Sequence, residues 1–338
     1  MNRRSGWIVS LFILTLALAG CSGTPADNRL TERAPSASDA NFQESGKTAG
    51  ASTPDIGAAQ ATPWPRTIKD AAGHETVLKT RPERVAVLHP LYLDYFFALD
   101  APPIASSSAA SAMKEFATLQ PYTGTAEMID LGNGRELNLE KIMEASPDVI
   151  VTFKGHVDAI YDELNKIAPV IQVDYGDTWE NTMMLCAQII GKEELAEQYI
   201  KETREMIRQA KERMGNLKDK SFALFRVNGN DFYAQGTKNT VYYNETEGFG
   251  LQVPKGYPED GAAISLEALA VMNPDYIIFQ HDLETAQAAV REKESLAVWN
   301  SLEAVENNHV LFFDNSLNSG SVLAIRLAAE HFMSLAGQ

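Results

Sequence analysis

The chain has 338 residues, a formal net charge of −16 at pH 7, 45% hydrophobic residues and two cysteines. Such acidity argues against a nucleic-acid partner, because no basic surface balances it. Two cysteines are too few for a disulfide framework, so the fold must depend on its hydrophobic core.

The first residues have the form of a secretion signal. Arg3 and Arg4 precede an apolar run over residues 7–18, which is shorter than a comfortable membrane span. The run ends in Leu-Ala-Gly-Cys at residues 18–21, the form of a bacterial lipobox. We predict a signal peptide over residues 1–20 and lipidation of Cys21; the alternative is a plain signal peptide with an incidental cysteine. Removal of the two arginines makes the mature formal charge −18.

Residues 21–65 are rich in Ser, Thr, Ala, Pro and Gly and show no helical or strand periodicity. This composition predicts a disordered tether that holds a globular body away from a membrane.

In residues 66–178, short apolar strands alternate with helices. In chain order we predict a hairpin over 66–77, a strand over 84–88, a helix over 91–99, a strand over 101–108, a helix over 139–145, a strand over 149–153, a helix over 157–167 and a strand over 170–173. This alternation is typical of a parallel sheet covered on both faces. We therefore predict a first α/β lobe over residues 66–178.

Residues 179–215 divide the chain. A helix over 179–190 is predicted to stop at Gly191, and its apolar face includes Cys186, which we expect to be buried. The following run from Glu193 to Met214 contains no Gly or Pro and consists largely of good helix formers. At about 1.5 Å per residue it would span about 33 Å, enough to bridge two lobes.

Beyond Gly215 the pattern restarts over residues 216–338. We predict strands over 222–227 and 232–234, a helix over 266–272, strands over 276–279 and 310–313, and a closing helix over 322–335. The predicted fold class is α/β, with two Rossmann-like lobes, one bridging helix and a ligand cleft between the lobes.

Two segments support this duplication. LNLEKIMEASPDVIV at residues 137–151 and ISLEALAVMNPDYII at residues 264–278 share Leu, Glu, Pro, Asp and Ile at equivalent positions. Their offset of 127 residues is too long for a solenoid repeat and fits two related lobes.

The lipobox, the hairpin TIKDAAGHETVLKTRPERVAVL, the two segments above and the ending NNHVLFFDNSLNSGSVLAIRLAAEHF together resemble the periplasmic-binding-protein family for iron-siderophores and cobalamin. The resemblance covers about residues 66–335. It implies a monomeric extracellular binding subunit of an ABC importer, stiffened by its bridging helix and anchored through Cys21 at the outer face of the cell membrane. It also implies a ferric siderophore as ligand, no cofactor, and the permease subunits as partners.

Ligands of open α/β sheets bind beyond the carboxyl ends of the strands. The side chains that follow these ends, or lie near them in sequence, are predicted to bind the ligand: His89, Tyr92, Lys154, His156, Tyr175, Trp179, Arg226, Tyr242 and His281. Ser106 to Ser108, Asp174, Tyr243 and Gln280 occupy similar positions. Arg226 is the strongest candidate, because an arginine in an apolar strand needs an anionic partner. Lys154 has a solvated-loop alternative, and Tyr92 and Trp179 are also expected to belong partly to the core.

Other ligands and functions stay open at this point. His89, His156 and His281 could converge on bare zinc or manganese, and a histidine or tyrosine could ligate haem; cobalamin is a further alternative. A secreted α/β enzyme is a remote alternative resting on fold analogy alone. The sequence contains no complete G-x-G-x-x-G, P-loop, G-x-S-x-G or C-x-x-C motif, and Leu78 stands where a zincin motif beginning at His74 would need its second histidine.

Glu140 and Glu267 occupy the same place in the two related segments. Asn138 and Ser265 are good N-caps, which puts each glutamate in the first turn of a helix, where the helix dipole favours a carboxylate by about 0.3–1 kcal/mol. The helix dipole explains the presence of either glutamate alone, but it explains less well why a glutamate occupies this position in both segments. The resemblance implies that each forms a salt bridge with arginines on one of the importer's two membrane subunits.

Overall fold

The computed structural model describes residues 63–134, 136–229, 231–238 and 240–337. The predicted signal peptide, Cys21 and the tether as far as residue 62 lie outside the described residues. Within the described ranges, no helix is both long and apolar enough to cross a membrane.

The described chain begins with the predicted hairpin, in which β1 (Arg66–Lys69) pairs with β2 (Glu75–Leu78). The buried carboxylate of Asp70 closes the turn by accepting hydrogen bonds from the backbone N–H groups of Ala72 and His74. It also accepts one from the N–H of Gln172, so the hairpin is fixed to the first lobe.

The first lobe contains a five-stranded parallel sheet in the order β5-β4-β3-β6-β7. Its strands are β3 (Val85–Val87), β4 (Ala105–Ser106), β5 (Ile129–Asp130), β6 (Val149–Phe153) and β7 (Val170–Val173). The strands predicted over 149–153 and 170–173 are confirmed. The strand predicted over 101–108 shrinks to two residues, because Pro102 and Pro103 lack the N–H groups that a sheet ladder needs.

Four helices accompany this sheet: α1 (Leu93–Ala98), α2 (Ala109–Glu115), α3 (Leu139–Ala145) and α4 (Tyr161–Ile167). The prediction over 139–145 is confirmed, whereas α2 was not predicted. The helices predicted over 91–99 and 157–167 each begin with one 3₁₀ turn, Pro90–Tyr92 and Asp158–Ile160.

The dividing segment forms α5 (Trp179–Ile190) and α6 (Glu193–Arg213), separated by Gly191 in the left-handed conformation with φ 68°. The 21-residue α6 agrees with the long bridging helix predicted from the sequence. At the junction, the guanidinium of Arg66 lies 4.2 Å from the ring centroid of Trp64 and pairs with Glu193 at 2.7 Å. The chain therefore enters the globular body against the bridging helices.

The second lobe contains a mixed five-stranded sheet in the order β10-β9-β8-β11-β12. Its strands are β8 (Phe222–Asn228), β9 (Asp231–Ala234), β10 (Ala262–Ile264), β11 (Tyr276–Gln280) and β12 (Val310–Phe313). β8, β11 and β12 run parallel, whereas β9 and β10 are antiparallel to their neighbours. β8 and β9 pair antiparallel because the tight turn between them cannot hold the crossover that parallel strands require.

Five further helices follow: α7 (Leu266–Met272), α8 (Leu283–Lys293), α9 (Ala297–Asn300), α10 (Glu303–Glu306) and α11 (Val322–Leu335). The predictions for α7 and α11 are confirmed, whereas α8 to α10 were not predicted. The two related segments form α3 with β6 and α7 with β11, and β6 and β11 each pair with the first strand of their sheet, β3 and β8. The internal duplication seen in the sequence is thus a duplication of structure.

Candidate ligand-binding cleft

A cavity of about 660 Å³ lies between the two lobes. From the first lobe and the start of α5 it is lined by Tyr92, Tyr95 and residues 174–180, and from the second by Arg226, Tyr233, Gln235, Lys238, Tyr242 and residues 318–320, among others. Its volume lies within the usual range of small-molecule sites, about 300–1,000 Å³. Residues from the carboxyl end of β7 and from β8 meet in it, as expected for an α/β cleft.

Aromatic side chains form much of the first-lobe wall. Tyr92 and Tyr95 stack with ring centroids 6.3 Å apart, and Trp179 lies beside them at the start of α5. All three are largely buried and belong to the core as well as to the cavity wall. Burial raises the pKa of Tyr92 and of Tyr95, so both phenols stay protonated and can donate hydrogen bonds.

Phe153, at the end of β6, connects this wall to two predicted site residues. Its ring stacks on His156 at 4.6 Å, meets His89 edge-on at 5.2 Å and lies 5.8 Å from Tyr175. Tyr175 is 68% exposed and lines the cavity. Phe153 was not among the predicted ligand-binding residues, although its position as the last residue of an apolar strand was a usable signal.

Arg226 on β8 is a cationic group of the opposite wall. It is half-buried, and its Nη2 donates a hydrogen bond to the side-chain oxygen of Asn315 at 3.1 Å. Among the described residues it forms no ion pair, and burial lowers its pKa while Tyr175 acts in the opposite direction. Arg226 and Tyr175 line the same cavity, one from each lobe.

Tyr233 is directly opposite Arg226 in the antiparallel register of β8 and β9, and it also lines the cavity. Opposed residues of such a pair project to the same face of a sheet. Tyr233 was predicted to lie in a strand but was not among the predicted ligand-binding residues. Its alternation with the apolar Phe232 and Ala234 was the available signal.

A hydrogen-bonded chain supports the second-lobe wall. Gln235 donates to the side-chain oxygen of buried Gln280 at 2.6 Å, and the amide of Gln280 donates to the carbonyl of Leu317 at 3.4 Å. The hydroxyl of Tyr242 donates to the same carbonyl at 2.8 Å. The Tyr242 hydroxyl therefore already donates its hydrogen bond within the protein, although the side chain lines the cavity. Tyr243 is buried nearby, and its hydroxyl donates a hydrogen bond to the carbonyl of Phe222.

The structure brings together five of the nine side chains predicted to bind the ligand. Tyr92, Tyr175, Trp179, Arg226 and Tyr242 line the cavity, together with Asp174 from the wider set. The other four, His89, Lys154, His156 and His281, are not among its lining residues. Ser106 and Ser107 are buried, and their hydroxyls bond to backbone carbonyls.

The local contacts of two histidines explain their positions. His156 shares one hydrogen bond with Thr152 at 2.7 Å and donates another to the carbonyl of Gly134 at 2.6 Å, so both ring nitrogens are occupied. His89 accepts a hydrogen bond from the N–H of Leu91, and burial together with nearby His156 lowers its pKa to about 4. Lys154 lies exposed in the loop after β6.

His281 follows β11 in the second lobe, with its Nδ1 buried and without a hydrogen-bond partner among the described residues. Burial and nearby Arg226 lower its pKa. In the described ranges, no group of three or more His, Cys, Asp or Glu side chains is arranged to hold a metal ion. The three candidate histidines therefore do not form a three-ligand metal cluster.

Glu140 and Glu267 lie exposed in the first turns of α3 and α7. Asn138 and Ser265 cap these helices, accepting hydrogen bonds at 3.1 and 3.2 Å. The backbone N–H of Glu267 and the hydroxyl of Ser265 lower the pKa of Glu267. Neither glutamate forms an ion pair within the described part of the chain.

Two α/β lobes on a long helix, with a polar and aromatic cavity between them, define a binding protein. The chain belongs to the periplasmic binding protein family, which matches residues 85–317. The Iron-uptake system-binding protein of Bacillus subtilis is 31% identical over 188 residues, an alignment covering 53% of this chain and 59% of that relative. The Ferric-anguibactin-binding protein FatB of Vibrio anguillarum is 24% identical, with 76% and 83% covered.

Solved structures share the fold. The triscatecholate siderophore binding protein FeuA from Bacillus subtilis, in complex with Ferri-Bacillibactin, superposes with a TM-score of 0.66 at 24% identity. The superposition covers 80% of this chain and 98% of FeuA. At this identity the likeness establishes the architecture of two lobes and one bridging helix.

Proposed function

We propose that this chain is the extracellular, lipid-anchored binding protein of an ABC importer and that it captures a ferric siderophore in the cleft. The observation that carries the proposal is Arg226, a half-buried cation without a carboxylate partner among the described residues, which lies across the cavity from the aromatic wall of the first lobe. An iron chelate presents oxygen acceptors around the metal and organic arms outside them. Arg226 donates charge-assisted hydrogen bonds to the oxygens, and Tyr92, Trp179 and Tyr233 supply contact area for the arms.

The names of the relatives support the same ligand class. An iron-uptake protein and a ferric-anguibactin-binding protein are among the proteins similar to this chain. The iron is cargo held by the chelator, and the protein binds the chelate through its organic surface.

Delivery to the permease is assigned to Glu140 and Glu267. One lies on each lobe, in equivalent helices, exposed and without an intramolecular ion pair in the described ranges. A partner with two related membrane subunits would meet them with one cation each. Cys21, followed by the tether, would keep the protein close to that partner.

Tryptophan fluorescence of the full mature chain tests the ligand assignment, because Trp179 lines the cavity. Ferric siderophores, haem, cobalamin and Zn²⁺ are titrated in parallel. We expect saturable quenching with a ferric siderophore alone, and loss of most of that signal in Trp179→Phe. Saturation by haem, cobalamin or Zn²⁺ with no response to any ferric siderophore would overturn the assignment.

A further inference from the structure

The charges around the cavity carry information about the ligand beyond its being a ferric chelate. Four carboxylates line it, Asp174, Asp177, Glu180 and Glu247, against two cations, Arg226 and Lys238. A site for a strongly anionic ligand would show the opposite balance, since like charges repel the ligand as it enters.

Existing ion pairs sharpen this imbalance. Arg204 donates to Glu180 at 3.2 Å from two nitrogens and neutralises it from outside the cavity. Lys238 lies 3.3 Å from Glu259 and 3.1 Å from Asp260, which balance its charge.

Asp174, Asp177 and Glu247 therefore remain as exposed carboxylates without an ion pair among the described residues, and Arg226 is the cation that shares the cavity with them. The described lining of the cavity thus has an excess of negative charge, and Arg226 is its one cation without an ion pair among the described residues.

Two of these carboxylates are held in place by the loop that follows β7. Asp174 accepts a hydrogen bond from the N–H of Gly176 at 2.9 Å. Asp177 accepts from the N–H of Thr178 at 2.8 Å and from the side chain of Asn181 at 2.7 Å. Each uses its Oδ1, so the loop fixes the carboxylate and its Oδ2 remains available to a ligand.

We infer that the cleft selects ferric chelates of neutral or positive net charge, the class formed by trihydroxamates, and rejects highly anionic tris-catecholates. Three hydroxamate groups carry one negative charge each and neutralise Fe³⁺, whereas three catecholate groups carry two each and leave a trianion. A trihydroxamate offers carbonyl oxygens to Arg226, and an ammonium group on its arms can pair with Asp174 or Asp177. This inference rests on the proposed function and restricts its ligand.

The test compares three probes on the full mature chain by tryptophan fluorescence at low and high salt: neutral ferrichrome, cationic ferrioxamine B and trianionic ferric enterobactin. We expect both hydroxamates to bind at least about tenfold more tightly than ferric enterobactin at low salt. Screening should reduce that ratio as salt is raised.

A charge variant locates the effect. Asp174→Asn with Asp177→Asn keeps the loop's Oδ1 acceptors and should raise affinity for ferric enterobactin by about threefold to tenfold, leaving ferrichrome nearly unchanged. Asp162→Asn with Glu163→Gln on exposed α4 makes the same change in net charge away from the cavity and should alter neither affinity.

Each outcome has a distinct meaning. Binding of ferric enterobactin as tight as that of the hydroxamates overturns the charge selection and leaves the proposed function standing. Equal responses of the two double variants overturn the role of Asp174 and Asp177. Failure of every ferric chelate to bind the folded chain overturns the proposed function itself.

Discussion

Asp94 on α1 accepts a hydrogen bond from the hydroxyl of Ser321, the residue that caps α11, so the first lobe is tied to the last helix of the chain. The other carboxylate oxygen accepts from the hydroxyl of Thr118 at 3.0 Å. The group is fully buried, and burial raises its pKa to about 7, with nearby Asp314 adding to the rise. The carboxyl group is therefore mainly protonated below about pH 7 and mainly ionised above it.

The raised pKa predicts how stability depends on pH. Since the unfolded group titrates near 3.8, the stabilising contribution of Asp94 is complete below that pH and is lost as the pH rises through about 7. The full contribution is about 4 kcal/mol, because the pKa rises from 3.8 to about 7 and each pKa unit corresponds to about 1.4 kcal/mol. The wild type should therefore lose stability between pH 5 and pH 8, whereas Asp94→Asn should not lose this contribution. The free energy of unfolding of the variant, relative to that of the wild type, should be higher at pH 8 than at pH 5.

Urea denaturation at pH 5 and pH 8 measures this difference. Comparing the two proteins at each pH removes the titration of all other groups. A constant difference between them at both values would show that Asp94 does not titrate in this range.

Arg226→Ala should weaken siderophore binding by about tenfold to a hundredfold, because a charge-assisted hydrogen bond is worth about 1.5–3 kcal/mol. Arg226→Lys should recover part of the loss, since it keeps the charge but not the planar donor pair. Fluorescence titration measures the affinity, with thermal denaturation as a check on folding. Arg208→Ala, on the exposed face of α6, is the matched control. An unchanged affinity in folded Arg226→Ala would contradict the prediction.

The double variant Glu140→Ala with Glu267→Ala should bind the ligand normally and fold nearly as well as the wild type, since each helix loses only a dipole contribution of about 0.3–1 kcal/mol. Uptake of radiolabelled ferric siderophore by cells should fall sharply. Glu144→Ala with Glu284→Ala removes two exposed carboxylates from α3 and α8 and should leave uptake intact. Normal uptake by the first double variant would leave the helix dipole as the only role of these glutamates.

Cys21→Ala should abolish anchoring, leaving the protein unprocessed or released into the medium. Mass spectrometry of the native N-terminus measures the modification, and Ser22→Ala is the control that keeps the cysteine. An unmodified Cys21 in the membrane-associated native protein would rule out the lipobox interpretation.

The sequence alone was sufficient to predict those elements whose ends are set by residues close together in the chain. α3, α7 and α11 have the predicted bounds because a side-chain cap begins each helix, at Asn138, Ser265 and Ser321. The duplication could also be seen directly, because both copies keep the same helix-to-strand connection. Similarly, α5 ends at Gly191 because glycine adopts the left-handed conformation with little steric strain.

Tertiary structure decided which of the predicted site residues face the cavity. His89 and His156 follow strands as expected. However, His89 caps a short helix, and His156 bonds to Thr152 and to the carbonyl of Gly134, 22 residues away, so neither lines the cavity. Tyr233 faces the cavity because the register of β8 and β9 places it opposite Arg226. Such register and side-chain partners depend on residues distant in the chain, so periodicity could not reveal them.

The sequence by itself determined the α/β class, the two related halves and the long helix between them, because periodicity, caps and turns are local properties. Only the folded chain decided the charge of the cleft. Asp174 and Asp177 from the first lobe and Glu247 and Arg226 from the second come to line one cavity, whereas Glu180 and Lys238 are neutralised by partners that the fold brings to them. A charge acts through space on whatever lies within a few ångströms, and that neighbourhood exists only once the two lobes are assembled.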